Sequence, residues 1–244
     1  MIDSDRPSPI GSPEEAFEVA LAQLRDCGAK DVLDCPAGRG ALTWRLIEAG
    51  LNVTCADIRP ESFEISDQVC DFADLNVSLP YGEESFDAIV CLNGLHRVWA
   101  RGKALAEFSR VLRPGGHIVI TFCNPGNLSH RLAYFLSGTA MHDMVGPPIT
   151  QEPYSENPAS TYRFPLTVAH IASLADKVSL EISSIGSCNL SMKSLGLAPL
   201  ALGPLLFRAI APKTFRNECY LKETTSFHAL FSDFVVVTLR KKVN

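Results

Sequence analysis

The first half of the chain alternates short runs of β-forming residues with longer stretches of helical periodicity, and this alternation constrains the fold more than any other feature. Strands that alternate with helices pair in parallel, because each helix carries the chain back across the sheet. The pattern predicts strands at residues 31–35, 51–57, 68–72, 86–91 and 117–122. We therefore expect an α/β fold built on a largely parallel sheet.

Helical periodicity predicts the connecting segments and extends into the second half of the chain. Helices are predicted at residues 13–27, 41–49, 127–137 and 166–177, with a mostly helical segment at 92–112. The sequence Arg-Pro-Gly-Gly at residues 113–116 predicts a turn, since proline and glycine interrupt regular structure. Two further strands are predicted at residues 179–187 and 234–240, and the long segment between them allows an antiparallel pair.

Composition and charge exclude several classes of function. The 244 residues are 46% apolar and 20% charged, so we expect one well-packed domain over residues 1–244, with a flexible segment at 1–12. The net charge of −5 and the lack of a basic patch argue against a nucleic acid partner. Lys and Arg cluster only at residues 240–242, where a charged chain end is the simpler interpretation.

The N-terminal segment and the cysteines indicate the compartment. Residues 1–13 are polar and rich in proline, without the basic and apolar parts of a secretory signal, so we expect a cytoplasmic protein. The eight cysteines include no CxxC pair, and their spacing indicates neither a zinc site nor a disulfide framework. We expect no metal site.

A glycine-containing turn at residues 38–40 connects the first predicted strand to the first crossover helix. Asp34 ends the strand, and the two glycines leave space for a ligand to approach the backbone, where the helix N-terminus offers N–H groups. Asp57 ends the second strand 17 residues after Gly40, and a carboxylate there accepts hydrogen bonds from a ribose diol. Any tight turn can require glycine, but the combination predicts an adenosine-type ligand.

Residues 32–40, with the sequence VLDCPAGRG, resemble the first motif of class I S-adenosylmethionine-dependent methyltransferases. Later segments resemble further motifs of that family in the same order, at residues 56–58, 73–81, 85–87 and 110–116. The resemblance covers about residues 31–122. It implies a Rossmann-like, doubly wound sheet of seven strands, mostly parallel with an antiparallel last strand, and S-adenosyl-L-methionine as the cofactor.

The resemblance assigns roles to the first two motifs. The methionine part of the cofactor would be held by one turn, that is, by Asp34, Cys35, Pro36, Gly38 and Gly40. Asp57 would hold the ribose, and Ile58 would lie against the adenine.

Later positions would complete the cofactor site. Asp74 and Leu75 would border the adenine. Asp71 is an alternative to Asp74, since either residue could end the third strand; we favour Asp74 because the Leu-Pro that follows has the family's offset from it. Cys91 and Leu92 end the fourth strand and would lie near the sulfonium.

Two departures from the family pattern bear on catalysis. Pro36 stands where the family usually has its first glycine, and proline lacks an N–H that could donate to the cofactor. His96 is followed by Arg97 at a place where relatives often have an acid followed by histidine. His96 is our first candidate for acid–base work, although it could equally cap or pack a helix; His142 and Tyr162 are weaker candidates.

The second half of the chain resembles members of the family that act on small molecules or on glycan and lipid precursors, through residues 124–138. A loop at 139–165 would supply the acceptor site. Within a hydrophobic insertion at 188–232, the uncharged run at 195–207 is too short to span a bilayer. It is interpreted as packed on the domain, as a pocket wall or as an interfacial contact.

The sequence therefore predicts a methyltransferase with a small-molecule or lipid- or glycan-linked acceptor. The alternative is a regulatory protein that binds the cofactor without turnover, suggested by Pro36 and the His96-Arg97 pair. A nicotinamide-dependent oxidoreductase is disfavoured, because Thr43 stands where the third glycine of the dinucleotide motif would be.

Overall fold

The computed structural model describes residues 13–138 and 165–243, together with Pro7. Its strands are β1 Asp31–Asp34, β2 Asn52–Asp57, β3 Cys70–Phe72, β4 Phe86–Leu92, β5 Leu112–Cys123, β6 Leu180–Leu190 and β7 Ser232–Lys241. They form one sheet in the order β3-β2-β1-β4-β5-β7-β6. Strands β1 to β5 pair in parallel, and β7 lies antiparallel between β5 and β6. The predicted Rossmann-like sheet with an antiparallel last strand is confirmed.

The helices follow the predicted order. They are α1 Glu14–Asp26, α2 Ala41–Glu48, α3 Arg101–Val111, α4 Leu128–Ser137, α5 Val168–Ala175, α6 Met192–Gly196, α7 Leu202–Ile210, α8 Lys213–Glu218, α9 Leu221–Thr224 and α10 Phe227–Phe231. Short 3-10 turns occupy Pro60–Ser62, Leu95–Arg97 and Ala198–Ala201. The helices predicted at residues 13–27, 41–49, 127–137 and 166–177 are present, with ends that differ by at most two residues.

Helices cover both faces of the sheet, because successive side chains of a strand point to opposite faces. On one face Leu33 and Ile89 join a core that includes Phe108 of α3. On the other face Val32 and its neighbours join a core that includes Leu24 of α1. This double burial explains the nearly continuous apolar runs of the central strands.

The turn predicted at residues 113–116 is wrong, because these residues belong to β5. The pairing with β4 passes from Phe86 opposite Leu112 to Ala88 opposite His117, so the extra residues of β5 form a bulge. An ion-pair cluster holds the bulge: Nη1 of Arg113 donates to Asp31 at 2.8 Å and to Asp87 at 2.6 Å.

The segment at residues 92–112 is less helical than predicted. Strand β4 continues to Leu92, a 3-10 turn follows, and only α3 is a regular helix. The side chain of Asn76 accounts for part of this difference, because its Oδ1 accepts the N–H groups of Trp99 and Ala100, both at 3.1 Å. These bonds tie the segment before α3 to the loop that follows β3.

The segment between β6 and β7 folds into five short helices, α6 to α10. Part of it packs around a small core that contains Leu128, Ala201, Leu230 and Phe231. Helix α7, in contrast, buries none of its residues. The interpretation of residues 195–207 as packed on the domain therefore holds for only part of the run.

No helix within residues 13–138 and 165–243 is long and apolar enough to cross a membrane. The loop predicted at residues 139–165 lies outside the described residues, except for Pro165.

Candidate cofactor site

The candidate site lies where the strand order of the sheet reverses. Strand β1 pairs with β2 on one side and with β4 on the other. The sheet therefore extends outward from β1 in two opposite directions. In doubly wound sheets a crevice opens at this switch point, beyond the carboxyl ends of the strands. The predicted turn from Asp34 to Gly40 begins at the carboxyl end of β1, so the fold places it at this crevice.

Backbone hydrogen bonds fix the turn to both neighbouring strands. The N–H of Cys35 donates to the carbonyl of Val90 in β4 at 3.0 Å, and the N–H of Ala37 donates to Ala56 in β2 at 2.9 Å. Cys35 itself is fully buried, and burial raises the pKa of its thiol well above the ordinary range. Its side chain therefore belongs to the core, and its backbone shapes the turn.

The structure brings Asp57 and the glycine turn together, as predicted. Oδ2 of Asp57 accepts the N–H of Gly38 at 2.9 Å, and Oδ1 accepts the N–H of Arg59 at 2.9 Å. The carboxylate is buried at the end of β2. Its orientation is therefore set before any ligand binds, which is what a ribose-binding acid requires.

Asp34 is the second carboxylate of the site, and it is buried. It accepts a hydrogen bond from the hydroxyl of Thr43 at 2.6 Å. Burial raises the pKa of Asp34 to about 7 against this bond, and the negative charge of Asp57 adds to the effect. No Lys or Arg side chain within the described residues pairs with either carboxylate. The site therefore favours a cationic ligand.

The two glycines of the turn have left-handed backbone conformations, with φ of 58° at Gly38 and 96° at Gly40. A Cβ added at Gly38 would meet no atom within 4 Å, so one side of the turn is open. A Cβ added at Gly40 would lie 2.9 Å from the ring of Phe63 and 3.0 Å from Cδ1 of Ile65. These two apolar side chains cover the other side of the turn.

The contacts of Phe63 and Ile65 with the turn were not predicted from the sequence. The segment that carries Phe63 is held to the turn by an ion pair between Arg39 and Glu64 and by the Glu64 N–H, which donates to the Arg39 carbonyl at 3.1 Å. The available signal was the short connection from β2 to β3, where a 3-10 turn at Pro60–Ser62 stands in place of a crossover helix.

Gly94 is a second residue that sequence reasoning missed. A Cβ at this position would lie 2.3 Å from Cδ of Pro36 and 3.2 Å from Sγ of Cys91, so the backbone after β4 packs directly on the proline ring. The peptide bond between Cys35 and Pro36 is cis. A glycine three residues after the predicted strand end at residue 91 was the signal for this close approach. Leu92, at the end of β4, is half-buried.

The predicted adenine side lies at the ends of β2 and β3. Oδ1 of Asp74 accepts the N–H of Asn76 at 2.8 Å, and Leu75 is buried. Asp71 lies within β3 and accepts the hydroxyl of Tyr81 at 2.9 Å. Burial, together with this bond to Asp71, raises the pKa of Tyr81.

Strand β3 ends at Phe72, between the two aspartates, so the choice of Asp74 over Asp71 stays a prediction. Ile58 follows β2 and is half-buried, where it can border a bound base.

The candidate acid–base residue His96 lies on the 3-10 turn Leu95–Arg97 and is 9% exposed. The nearby N–H of Asn93 donates to Oγ1 of Thr121 at 3.1 Å, which joins the end of β4 to β5. The role of His96 stays a prediction. His142 and Tyr162 lie outside the described residues.

A cavity of about 200 Å³ lies beyond the carboxyl end of β5, next to the strand that carries Leu92. Its lining consists of Asn124, Gly126, Arg131, Thr167, Val168, Thr224 and Ala229. The Arg131 guanidinium donates to the carbonyls of Gly126 and Thr224, and burial lowers its pKa. Among the described residues no acidic side chain pairs with it.

A larger cavity of about 300 Å³ lies at the opposite edge of the sheet, lined by charged side chains of both signs that include Glu84, Arg110 and Lys241. None of the predicted site residues lines it. In the parts of the chain that the structure describes, no group of three or more His, Cys, Asp and Glu side chains is placed to hold a metal ion.

Residues 33–120 match the methyltransferase domain family. An uncharacterized methyltransferase of Mycobacterium tuberculosis is 35% identical over 103 residues, which cover 41% of this chain and 42% of the relative. The ubiquinone/menaquinone biosynthesis C-methyltransferase UbiE of Teredinibacter turnerae is 34% identical over 162 residues, 61% of this chain and 62% of the relative. The chain thus spans less than two thirds of these relatives' length.

Solved structures agree with the fold. The 1,6-didemethyltoxoflavin-N1-methyltransferase of Burkholderia thailandensis, solved with 1,6-didemethyltoxoflavin and S-adenosylhomocysteine, superposes with a TM-score of 0.51 at 20% identity, over 94% of this chain and 78% of that one. The sheet order, the glycine turn and the matching family domain agree: over residues 33–120 the chain is similar to the class I S-adenosylmethionine-dependent methyltransferases.

Proposed function

We propose that the protein transfers the methyl group of S-adenosyl-L-methionine to a small or lipid-linked acceptor. One observation carries the proposal: Asp34 and Asp57 are two buried carboxylates beside a glycine turn, and no basic side chain of the described residues pairs with them. A ligand with a sulfonium and an ammonium group supplies the missing positive charge. A dinucleotide would bring a negative pyrophosphate to the same turn instead.

The residues present fit the cofactor. Asp57 is oriented to accept hydrogen bonds from the ribose, and the open side of Gly38 leaves room for the backbone approach. Asp34 would face the cationic methionine part, while Ile58 and Leu75 would border the adenine. When bound, the cofactor supplies a methyl group that its sulfonium already activates, so positioning is the main task left to the protein.

The acceptor site that we propose is the cavity beyond β5. Arg131 contributes a partly buried guanidinium there, which would attract an acceptor that carries an anionic or carbonyl oxygen. Its volume of about 200 Å³ suits one or two rings. The relative named for ubiquinone and menaquinone biosynthesis supports a ring acceptor of this kind, and so does the methyltransferase solved with bound 1,6-didemethyltoxoflavin.

His96 is the residue that we propose for moving a proton, if the acceptor atom carries one. It lies directly after β4, which borders both the cofactor turn and β5. No disulfide joins the eight cysteines, all of which lie in the described parts of the chain, and this fits a reducing compartment such as the cytoplasm.

The alternative function is cofactor binding without turnover. It is supported by Pro36, which removes a backbone donor from the turn, and by Arg97 after His96 in place of the acid–histidine order.

An activity assay separates the two functions. The wild-type protein is incubated with S-adenosylmethionine and a panel of phenols, hydroquinones and polyprenyl-linked quinols, and S-adenosylhomocysteine formation is measured. We expect turnover with at least one ring acceptor, reduced at least tenfold in Arg131→Met. Cofactor binding without product from any acceptor would favour the regulatory alternative, and absence of both binding and turnover would contradict the proposal.

A further inference from the structure

Large apolar side chains are exposed on α4, which contributes to the candidate acceptor cavity, and on α7. Tyr134, Phe135 and Leu136 at the end of α4 are between 58% and 83% exposed. On α7 and its flanks, exposed fractions of 42% to 79% belong to Leu200, Leu202, Leu205, Leu206, Phe207, Ile210 and Phe215. We call residues 134–136 and 200–215 the helical cap.

Packing holds the helices that carry these exposed side chains. The rings of Phe207 and Phe215 meet edge to face with centroids 5.6 Å apart, which joins α7 to α8. Below them, the small core around Leu128 and Ala201 anchors α4 and the 3-10 turn before α7. Apolar area on this scale marks an interaction site in most proteins.

The charge of the longer segment that contains residues 200–215 favours an anionic partner. Residues 191–226 contain five basic and two acidic residues, a net charge of +3, whereas the whole chain carries −5. Lys213 and Arg216 are exposed on α8, next to the apolar side chains of α7. Apolar helices flanked by exposed cations are typical of protein segments that lie in the interface of anionic membranes.

We propose that the helical cap docks on the surface of a lipid bilayer that contains anionic lipids. The apolar side chains of α4 and α7 enter the interfacial region, and the cations of α8 lie at the headgroups. A second copy of the chain is a poorer partner, because a symmetric dimer would bring two caps of positive charge together.

Docking would also place the candidate acceptor cavity at the membrane. Arg131 of α4 and Thr224 of α9 line that cavity. Helix α4 also carries residues 134–136 of the cap, and α9 follows residues 200–215 in the chain. A lipid-soluble acceptor could then enter from the bilayer; this step alone rests on the proposed function. The docking itself is independent of methyl transfer, so its test requires neither cofactor nor acceptor.

The test is co-sedimentation of the full-length protein with vesicles of phosphatidylcholine that contain 30% phosphatidylglycerol. We expect binding that weakens when the salt concentration is raised. The double variant Leu206→Glu/Ile210→Glu should bind at least tenfold more weakly. The double variant Lys213→Glu/Arg216→Glu should lose roughly fivefold per cation on anionic vesicles, and its binding to pure phosphatidylcholine should change little.

Val243→Glu is the matched control, because Val243 is a 68% exposed apolar residue outside the cap. It should bind vesicles like the wild type. Circular dichroism and cofactor binding of the cap variants should be unchanged, since α7 buries none of its residues.

Three results would overturn the proposal. The first is no vesicle binding at low salt. The second is a wild-type dimer in light scattering that the Leu206→Glu/Ile210→Glu variant disrupts, which would make a second copy the partner. The third is equal vesicle binding by the cap variants and the wild type.

Discussion

The two ends of strand β1 carry aspartates in opposite environments. At its start, Asp31 accepts hydrogen bonds from the side chains of Asn52 and Arg113, at 2.8 Å each, and these hold its pKa below the ordinary value. At its end, Asp34 is buried, Thr43 is its one side-chain donor among the residues that the structure describes, and burial raises its pKa to about 7. The two residues are three positions apart on one strand.

The difference separates a structural edge of the sheet from the edge that carries the proposed cofactor site, which we call the functional edge. At the first edge the charges neutralise each other, and Arg113 ties three strands together through Asp31 and Asp87. At the second edge Asp34 and Asp57 leave a negative potential that the described residues do not neutralise. Proteins keep such a destabilising arrangement where a ligand completes it.

The largest expected effect is on the functional edge. Replacing Asp57 with Ala should weaken S-adenosylmethionine binding by more than tenfold, because the ribose loses its oriented acceptor. Isothermal titration measures this change. The control is Asp67→Ala, an exposed carboxylate in the same connection between β2 and β3. Equal affinity of the two variants would remove Asp57 from the site.

The second effect concerns pH. The raised pKa of Asp34 means that its contribution to stability is fully present below about pH 4 and is lost as the pH rises through about 7. The loss is on the order of 4 kcal/mol. Asp34→Asn should therefore unfold at a higher temperature than the wild type at pH 8, and the difference between the two proteins should shrink as the pH falls and be smallest below about pH 4.

Cofactor affinity should depend on pH in the opposite direction to stability. A cationic ligand favours the ionised form of Asp34, so wild-type affinity should rise between pH 5 and pH 7, by up to tenfold per pH unit. Titration across this range measures the slope, and Asp34→Asn should lack it. A flat wild-type profile would show that Asp34 does not face the cation.

The third effect tests the contact between the two loops of the site. In Gly94→Ala the new methyl group would meet the ring of Pro36, so the turn must shift. We expect cofactor affinity to fall about fivefold and the unfolding temperature to fall by several degrees. Gly186→Ala is the control, because a Cβ there meets nothing within 4 Å. Normal binding by Gly94→Ala would mean that the turn tolerates displacement.

The smallest effect is expected at the structural edge. Asp31→Asn and Arg113→Gln should leave cofactor affinity unchanged, since their partners lie at the opposite end of β1. Both substitutions should change how the stability of the fold depends on acid. Carboxylates with lowered pKa values stabilise the fold above about pH 4, and this stabilisation is lost as the pH falls. Thermal melts between pH 2 and pH 6 should show a weaker acid dependence in Arg113→Gln. A large loss of cofactor affinity in either variant would contradict the division into two edges.

The fold and the cofactor turn could be predicted because their signals are local. The strand at residues 31–34 and the glycines at 38 and 40 are close in sequence, and Asp57 follows at a spacing set by one helix and one strand. The bulge in β5 could not be predicted, because it depends on Arg113 reaching Asp31, 82 residues away.

The side chains that surround the candidate site could not be predicted either, for the same reason. The contact of Phe63 with Gly40 and that of Gly94 with Pro36 join segments that approach only in the folded chain. Apolar composition could not show which part of residues 195–207 is buried, since Ala201 is buried whereas Leu202 is 62% exposed.

The most direct test of the central claim is a crystal structure of the protein with S-adenosylhomocysteine. We predict the ribose hydroxyls on the carboxylate of Asp57, the methionine part beside Asp34 and Gly38, and the adenine near Ile58. A structure with the nucleoside bound at another edge of the sheet, or without it at millimolar concentration, would contradict the account.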